Sequence, residues 1–190
     1  MTNKEKMLTG ELYILDEELT MENYNGKNWC RDYNSSEIED ELGRERFIRK
    51  FFAKAGQNPY IEAPFRCDYG YNIEIGDDFY ANYDCIFVDV CKITIGDDVM
   101  IGPRVCIYTA THPLDAKIRR QHLEYGKAVT IGNDVWIGGN TVINPGVRIG
   151  NNVVIGSGSV VVSDIPDNVI AVGNPCKVIR NLDQINEELR

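Results

Sequence analysis

The segment that decides the fold is IGNDVWIGGNTVINPGVRIGNNVVIGSGSVVVSDIP, residues 131–166, in which an isoleucine or valine returns at every sixth position. A second series, four places later in each hexad, consists of valine, threonine, serine and isoleucine. The same frame is present upstream at 95–112, and Ile107 and Ile131 are separated by a multiple of six. The repeat therefore continues in step on both sides of an interruption.

A period of six residues fits neither an α-helix, with about 3.6 residues per turn, nor a simple hairpin meander. It is typical of a coil in which three short parallel strands form the sides of a triangular prism, with about 18 residues per turn. The branched side chains point into the prism, and the corners favour glycine, asparagine and aspartate, which tolerate sharp bends. Such residues recur in the same frame at 96–98, 132–134, 144–146 and 150–152. The sequence therefore predicts an all-β fold, a parallel β-helix of hexapeptide repeats.

The first part of the chain, residues 1–58, has helical rather than hexad spacing. Ser36 and Glu39 form the pattern of a capping box, followed by apolar residues at helical intervals. Shorter helices are expected near Lys4–Leu8 and Asp16–Asn23. Because an open β-helix end exposes unpaired apolar surface, we predict that this segment is an N-terminal α-helical cap over the first coil.

The β-helix domain is predicted to occupy residues 59–190, with a polar helix at its end. The frame slips by two residues upstream of Ile95, which indicates a bulge around Val90–Lys92. Residues 113–128 have no hexad character, and we interpret them as an extruded loop without regular structure. Long loops of this kind are usually functional or disordered.

Composition narrows the classes of partner. The chain has 190 residues, 43% hydrophobic and 26% charged, and a net charge of -9, which argues against a nucleic-acid partner. No apolar run approaches the ~18 residues of a membrane span. The six cysteines form no CxxC pair and no zinc-type spacing with the two histidines, so we expect no metal and small buried thiols. A reducing, cytoplasmic location follows from this expectation.

Four polar residues are candidates for chemistry on spacing alone. His112 lies directly before the extruded loop, where it is either a general base near neutral pH or a turn histidine bonded to a backbone carbonyl. His122 lies among charged residues in the loop and is expected on the solvated surface. Asn82 either satisfies a corner or donates to a reacting oxygen, and Asp89 either binds sugar hydroxyls or solvates the bulge.

Two cations, Lys177 and Arg180, follow the exit from the prism at a spacing of three. They either receive an anionic ligand or form a solvated cationic face. The sequence contains neither a GxxxxGK[ST] phosphate loop nor a GxSxG elbow.

Five segments resemble one known family. They are KEKMLTGELY (4–13), FRCDYGYNIEIGDDFYANYDC (65–85), IYTATHP (107–113), GKAVTIGNDVWIGGNTVINPGVRIG (126–150) and GNPCKVIR (173–180). Together they resemble the maltose and galactoside O-acetyltransferases of the hexapeptide-repeat acyltransferases, most closely the maltose branch. The resemblance implies a left-handed β-helix, a homotrimer, and acetyl-CoA in a groove between neighbouring subunits, with a sugar beside it under the extruded loop.

The resemblance also implies roles for individual residues. The histidine that matches His112 takes the proton from a sugar hydroxyl, typically at the 6-position, and the oxygen attacks the thioester directly. Asn82 matches the residue that holds the acceptor or the developing negative charge, and Asp16, Asp68 and Asp89 match positions of the sugar pocket. The positions that match coenzyme-binding residues are Trp136, Gly139, Ser157, Val162, Ser163, Lys177 and Arg180.

Departures from the family pattern refine these expectations. Both branches carry Thr-Lys where this chain has Val162 and Ser163, which removes one phosphate contact. The galactoside branch has a second aspartate where this chain has Val90, which favours glucose or maltose as acceptor. The alternatives are an acetyltransferase for another hydroxyl or amine, such as serine, an aminosugar or an antibiotic, and a non-catalytic scaffold. A carbonic anhydrase of this fold needs three histidines per site, and the chain has two.

Overall fold

The computed structural model describes residues 1–182, and in it an N-terminal helical region is followed by a parallel β-solenoid. The polar helix expected at the end of the chain lies outside the described residues. Within residues 1–182 the α-helices are α1 (Asn3–Thr9), α2 (Glu17–Asn34), α3 (Glu41–Phe51) and α4 (Ala116–Arg119).

Side-chain caps set where the helices begin. Thr2 caps α1 in a capping box with Glu5, and the Asp16 carboxylate accepts the Leu19 amide at the start of α2. The capping box predicted at Ser36 is wrong, because α3 begins after Asp40. The Ser36 hydroxyl instead donates to the Tyr33 carbonyl oxygen and accepts from Arg44, so it belongs to the end of α2.

Three sheets form the sides of the solenoid, and each is defined by its strands. Sheet 1 contains Lys54–Ala55, Ile73–Ile75, Ile93–Ile95, Val129–Ile131 and Arg148–Ile149. Sheet 2 contains Tyr60–Ile61, Tyr80–Ala81, Met100–Ile101, Val135–Ile137, Val153–Ile155, Val169–Val172 and Lys177–Asn181. Sheet 3 contains Phe65–Cys67, Cys85–Val88, Cys106–Tyr108, Val142–Ile143 and Val160–Val161. All neighbours are parallel except the last pair of sheet 2.

The predicted inward positions form the core. Every hexad isoleucine or valine from Ile131 to Val161 is at most 2% exposed. In sheet 1, for example, Ile95, Ile131 and Ile149 are in register and stack at the strand spacing of ~4.8 Å. The prediction of a hexapeptide β-solenoid is therefore confirmed.

The corner between sheets 1 and 2 contains a ladder of side chains. In this ladder, a side-chain oxygen of each coil accepts a hydrogen bond of 2.7–2.9 Å from a backbone N–H of the preceding coil. The oxygens belong to Asp77, Asp97, Asn133, Asn151 and Asp167. The residue that follows each rung adopts a left-handed backbone, as at Asp98 with φ 55° and Asp134 with φ 56°. Asparagine and aspartate tolerate this conformation, which explains the residue types predicted at this corner.

The bulge predicted near Val90–Lys92 is also confirmed. Ile73 pairs with Ile93, twenty residues later, whereas Val135 pairs with Val153, eighteen residues later. The longer coils hold their additional residues where the chain passes from sheet 3 to sheet 1.

The helical region covers the open end of the solenoid. The Trp29 ring stacks on Phe51 with centroids 4.5 Å apart, and it meets the Phe65 ring edge-on at 6.4 Å. Tyr33 and Arg44 both donate to the Ile61 carbonyl oxygen, at 2.7 and 2.8 Å. The first strand of sheet 1 lies within residues 1–58, so the division of the chain at residue 58 stays a prediction.

Candidate active site

The interruption at 113–128 is more ordered than the sequence suggested. Ala110–Thr111 pairs antiparallel with Tyr125–Gly126, and this hairpin closes the base of the excursion. Between the two strands the helix α4 begins at its cap, Asp115. The Lys127 amide donates to the Thr109 carbonyl oxygen at 2.8 Å, and the hexad repeat resumes directly after this contact.

His112 follows the first strand of this hairpin. Its ring is exposed, and Nδ1 lies 3.4 Å from the Leu123 carbonyl oxygen. A carbonyl oxygen only accepts, so this contact favours the tautomer with hydrogen on Nδ1. In that tautomer Nε2 keeps its lone pair and can take a proton. The carbonyl contact is therefore compatible with both alternatives for His112, and its role as a base stays a prediction.

A cleft of about 330 Å³ lies beside His112. It is lined by Ile14, Leu15, His112, Arg119, His122 and Glu124. His122 is exposed, as expected, but it shares this cleft with His112 and has a left-handed backbone with φ 59°. The Arg119 guanidinium donates to the Pro113 and Leu114 carbonyl oxygens at 2.9 and 3.0 Å, so it holds the start of the loop.

The N-terminal segment supplies one wall of the cleft. Tyr13 and Glu124 exchange backbone hydrogen bonds of 3.0 and 3.1 Å in an isolated antiparallel bridge. The bridge places Ile14 and Leu15 against the loop. Sequence reasoning missed this wall, because a single bridge between distant residues has no periodic signal.

Asp16 follows this wall but its carboxylate is occupied. One oxygen accepts the Leu19 amide at 3.0 Å and the other accepts the Asn3 side-chain amide at 2.9 Å. The hydrogen bond from Leu19 is the main reason that the pKa of Asp16 is lowered. Its predicted contact with a sugar stays a prediction.

Asp89 anchors the bulge from within. It is 0% exposed and accepts the amides of Asp68, Tyr69 and Gly70 at 2.8, 3.0 and 2.7 Å. Burial outweighs these donors and raises the pKa of Asp89 to about 7. Asp68 is half-buried, accepts from Asn23 at 3.2 Å and borders a second cavity, of about 450 Å³. Of these two aspartates, only Asp68 is open to a ligand in this conformation.

Asn82 lies on another edge of the prism, where the chain passes from sheet 2 to sheet 3. Its side-chain oxygen accepts the Tyr83 amide at 2.8 Å, while its Nδ2 makes no hydrogen bond within residues 1–182. His112 lies where the chain leaves sheet 3. One side of the prism is about six residues long, roughly 20 Å at the rise of a β-strand, so one chain does not bring Asn82 and His112 together.

The positions predicted for the coenzyme divide between the same two edges. Trp136 lies on the outer face of sheet 2, in register with Met100 and Val154, and is 54% exposed. Gly139 and Ser157 are at the following corner. Lys177 and Arg180 are on the exposed last strand of sheet 2. Val162 and Ser163 follow the last strand of sheet 3, on the same edge of the prism as His112.

Two family models match the chain: that of the bacterial transferase hexapeptide (six repeats) at residues 128–163, and that of the maltose acetyltransferase hexapeptide capping motif at residues 6–56. A maltose O-acetyltransferase structure from Clostridium difficile 630 has 53% identity and a TM-score of 0.94, over 96% of this chain and 98% of that chain. Galactoside O-acetyltransferase of Escherichia coli is 42% identical over 96% of this chain and 91% of the relative. A hexapeptide-repeat acetyltransferase from Vibrio cholerae, complexed with acetyl-CoA, has 37% identity and a TM-score of 0.88 over 96% and 99%.

The fold and the two matched segments define a hexapeptide-repeat transferase. The chain belongs to the maltose and galactoside O-acetyltransferase family of these acetyltransferases. The resemblance inferred from the sequence motifs is confirmed. The capping-motif match ends at residue 56, close to the first strand of sheet 1.

Two further findings concern partners. Within residues 1–182, no cluster of three or more histidine, cysteine, aspartate or glutamate side chains could hold a metal ion. None of the helices in this part of the chain combines the length and the apolar character that crossing a bilayer requires.

Proposed function

We propose that this acetyltransferase moves the acetyl group of acetyl-CoA to a hydroxyl of a sugar such as maltose or glucose, at the 6-position, with His112 as general base. The observation that carries the proposal is the His112 ring, oriented by the Leu123 carbonyl in a cleft that lies beside it. The fold relationship to an acetyltransferase complexed with acetyl-CoA supports the choice of donor.

The proposed reaction needs a base, an oxyanion donor and two aligned substrates. The sugar hydroxyl gives its proton to Nε2 of His112 as its oxygen attacks the thioester carbonyl carbon. The Nδ1–H contact with Leu123 stabilises the imidazolium that forms. The free Nδ2 of Asn82 donates to the developing oxyanion. The C–S bond then breaks, and the coenzyme thiolate takes the proton from His112.

The separation of Asn82 and His112 supports a homotrimer with active sites between subunits. The outer face of sheet 1 is polar, with Lys54, Glu74, Thr94, Thr130 and Arg148. The outer face of sheet 2 is largely apolar, with Tyr60, Tyr80, Met100, Trp136, Val154 and Ile170. Exposed apolar faces of this kind mark association surfaces. If the sheet 1 face of one subunit packs against the sheet 2 face of its neighbour, the His112 edge of the first subunit meets the Asn82 edge of the second.

For the coenzyme, Trp136, Gly139, Ser157, Lys177 and Arg180 would follow the groove along the edge of sheet 2, with Val162 and Ser163 completing the site from sheet 3. On the acceptor side, Asp68 would contact the sugar directly, while Asp16 and Asp89 would shape the pocket through the hydrogen bonds that hold their carboxylates. Val90 supports glucose or maltose over a galactoside, because it is buried with Met7 and Tyr13 and offers no hydrogen bond to a sugar. The free thiols of all six cysteines fit a reducing cytoplasm.

An acceptor panel tests the activity. The purified chain is incubated with acetyl-CoA and maltose, glucose, a galactoside, serine, glucosamine or water, and free thiol release is followed. We expect maltose or glucose to exceed the galactoside, and NMR of the product to place the acetyl group on the 6-oxygen. Faster thiol release with serine or the amine would replace the sugar assignment. Failure to bind acetyl-CoA at all would favour a scaffold.

Mixing two inactive variants tests the shared site. Asn82→Ala and His112→Ala chains are unfolded together and refolded as mixed trimers. If each site takes His112 from one subunit and Asn82 from its neighbour, about a quarter of the sites in a random mixture regain both residues. Activity that stays at the level of the separate variants would contradict the intersubunit site.

A further inference from the structure

Two thiols from different parts of the fold meet where α2 packs on the first strand of sheet 3. The Sγ atoms of Cys30 and Cys67 are 3.7 Å apart. The Cys67 amide donates to the Cys30 sulfur at 3.3 Å, and both residues are 6% exposed. The two sulfurs are therefore in direct contact. No other pair of cysteines within residues 1–182 shows such a contact.

This pair is buried but reachable. Both cysteines line the cavity of about 450 Å³ that also borders Asp68. The exposed side chains of Lys27, Arg31 and Arg66 line the same cavity, so it communicates with solvent. A cationic surrounding of this kind favours a thiolate over a thiol.

We infer that Cys30 and Cys67 form an oxidative modification site, in which a hydroperoxide converts the two thiols to a disulfide. The oxidation uses neither His112 nor Asn82, and its test does not depend on acetyl transfer.

The chemistry takes two steps. The Cys30 thiolate attacks one oxygen of the hydroperoxide, the O–O bond breaks, and an alcohol or water leaves with a proton, so Cys30 becomes a sulfenic acid. The Cys67 sulfur then attacks the Cys30 sulfur, the S–O bond breaks, and water leaves with the Cys67 proton. Two thiols and one hydroperoxide thus give one disulfide, one alcohol or water, and one further water.

The order of the two cysteines follows from their contacts. The Cys30 sulfur accepts the Cys67 amide, which stabilises negative charge on it. The hydrogen bond from Cys67 also lowers the pKa of Cys30, whereas donating that hydrogen bond, together with burial, raises the pKa of Cys67. Cys85 provides a contrast, since burial in the core raises its pKa to about 11.

Closure brings the two sulfurs into bonding distance. The sulfurs must approach from 3.7 Å to the ~2.05 Å of a disulfide bond. The resulting bond would join the helical region to the solenoid and close a long loop of chain, which restricts the unfolded state.

The first experiment uses the Cys106→Ser variant, which removes the most exposed thiol and with it most intermolecular linkage. The protein is treated with hydrogen peroxide, quenched with catalase and unfolded, and its thiols are counted. We expect two thiols to be lost and to return with dithiothreitol. Fragment spectra of the proteolysed protein should join Cys30 to Cys67. Full retention of thiols, or linkage of Cys85 to Cys91 instead, would overturn the proposal.

The second experiment tests the order with a sulfenic-acid trap, dimedone. In Cys67→Ser, Cys30 should accumulate the adduct; in Cys30→Ser, Cys67 should remain unlabelled. Equal labelling of the two variants would overturn the assignment of Cys30 as the attacking thiol. The linkage map of the Cys106→Ser protein retains the test if either serine variant does not fold.

Discussion

The regular coils at 131–166 and the longer coils at 60–94 share the hexad pattern but bury different side chains. The regular coils stack isoleucine and valine in a uniform column. The longer coils mix large and small residues, with Phe79 and Phe87 beside Ala81 and Cys85. They also contain the bulge, and His112 and the loop follow them. The comparison teaches that regular repeats provide the scaffold, while departures from the repeat position the polar residues of the site.

The largest expected effect concerns the uniform column. Ile131→Ala should lower the free energy of unfolding by about 2–5 kcal/mol, because it leaves a cavity between fixed neighbours in register above and below. Val142→Ala, on the outer face of sheet 3 and away from the faces proposed to associate, is the control and should change it by about 1 kcal/mol or less. Urea denaturation measures both. Similar effects for the two variants would mean that the column does not determine stability.

The second effect belongs to the irregular part. His112→Ala should lower turnover by ~10²-fold or more, because it removes the base, while the melting temperature stays unchanged. His122→Ala is the control in the same cleft and should reduce turnover far less. Steady-state kinetics with acetyl-CoA and maltose decide between them. Near-normal turnover of His112→Ala would remove the proposed mechanism.

The sequence predicted the regular coils better than the departures, and the reason is physical. Inward residues and corners repeat, so each hexad supports the interpretation of the next. The start of α3 was misplaced because Ser36 and Asp40 are both capping residues, and only the contact of Ser36 with Tyr33 and Arg44 decides between them. The Tyr13–Glu124 bridge and the contact of Cys30 with Cys67 join residues far apart in the chain, and no local pattern encodes them.

The third effect tests the bulge through its buried carboxyl. The pKa of Asp89 is raised to about 7 in the folded chain, against ~3.9 when unfolded, so the folded state binds the proton more tightly. This contribution to stability is fully present below about pH 4 and is lost as the pH rises through 7. Between pH 5 and pH 7 it should decrease the free energy of unfolding by about 2 kcal/mol.

Asp89→Asn is the control for that pH dependence. The amide nitrogen of the asparagine would face backbone N–H groups that now donate hydrogen bonds to the Asp89 carboxylate, so the variant should be less stable at every pH. It should nevertheless lose the decrease between pH 5 and pH 7. An unchanged pH profile in Asp89→Asn would show that other groups determine it.

The smallest effect concerns a regular coil in which the sequence departs from its family without disturbing the repeat. Ser163 is exposed at the end of sheet 3, at a position where the family resemblance implies a lysine. Ser163→Lys should lower the KM for acetyl-CoA by about 2- to 5-fold at low salt, since an exposed ion pair contributes at most about 1 kcal/mol. The gain should shrink as salt screens the charge, with kcat unchanged. Ile38→Lys adds the same charge at an exposed position between α2 and α3, away from the proposed groove, and should leave the KM unaltered. An equal decrease in both variants would mean that net charge, rather than a phosphate contact at Ser163, attracts the coenzyme.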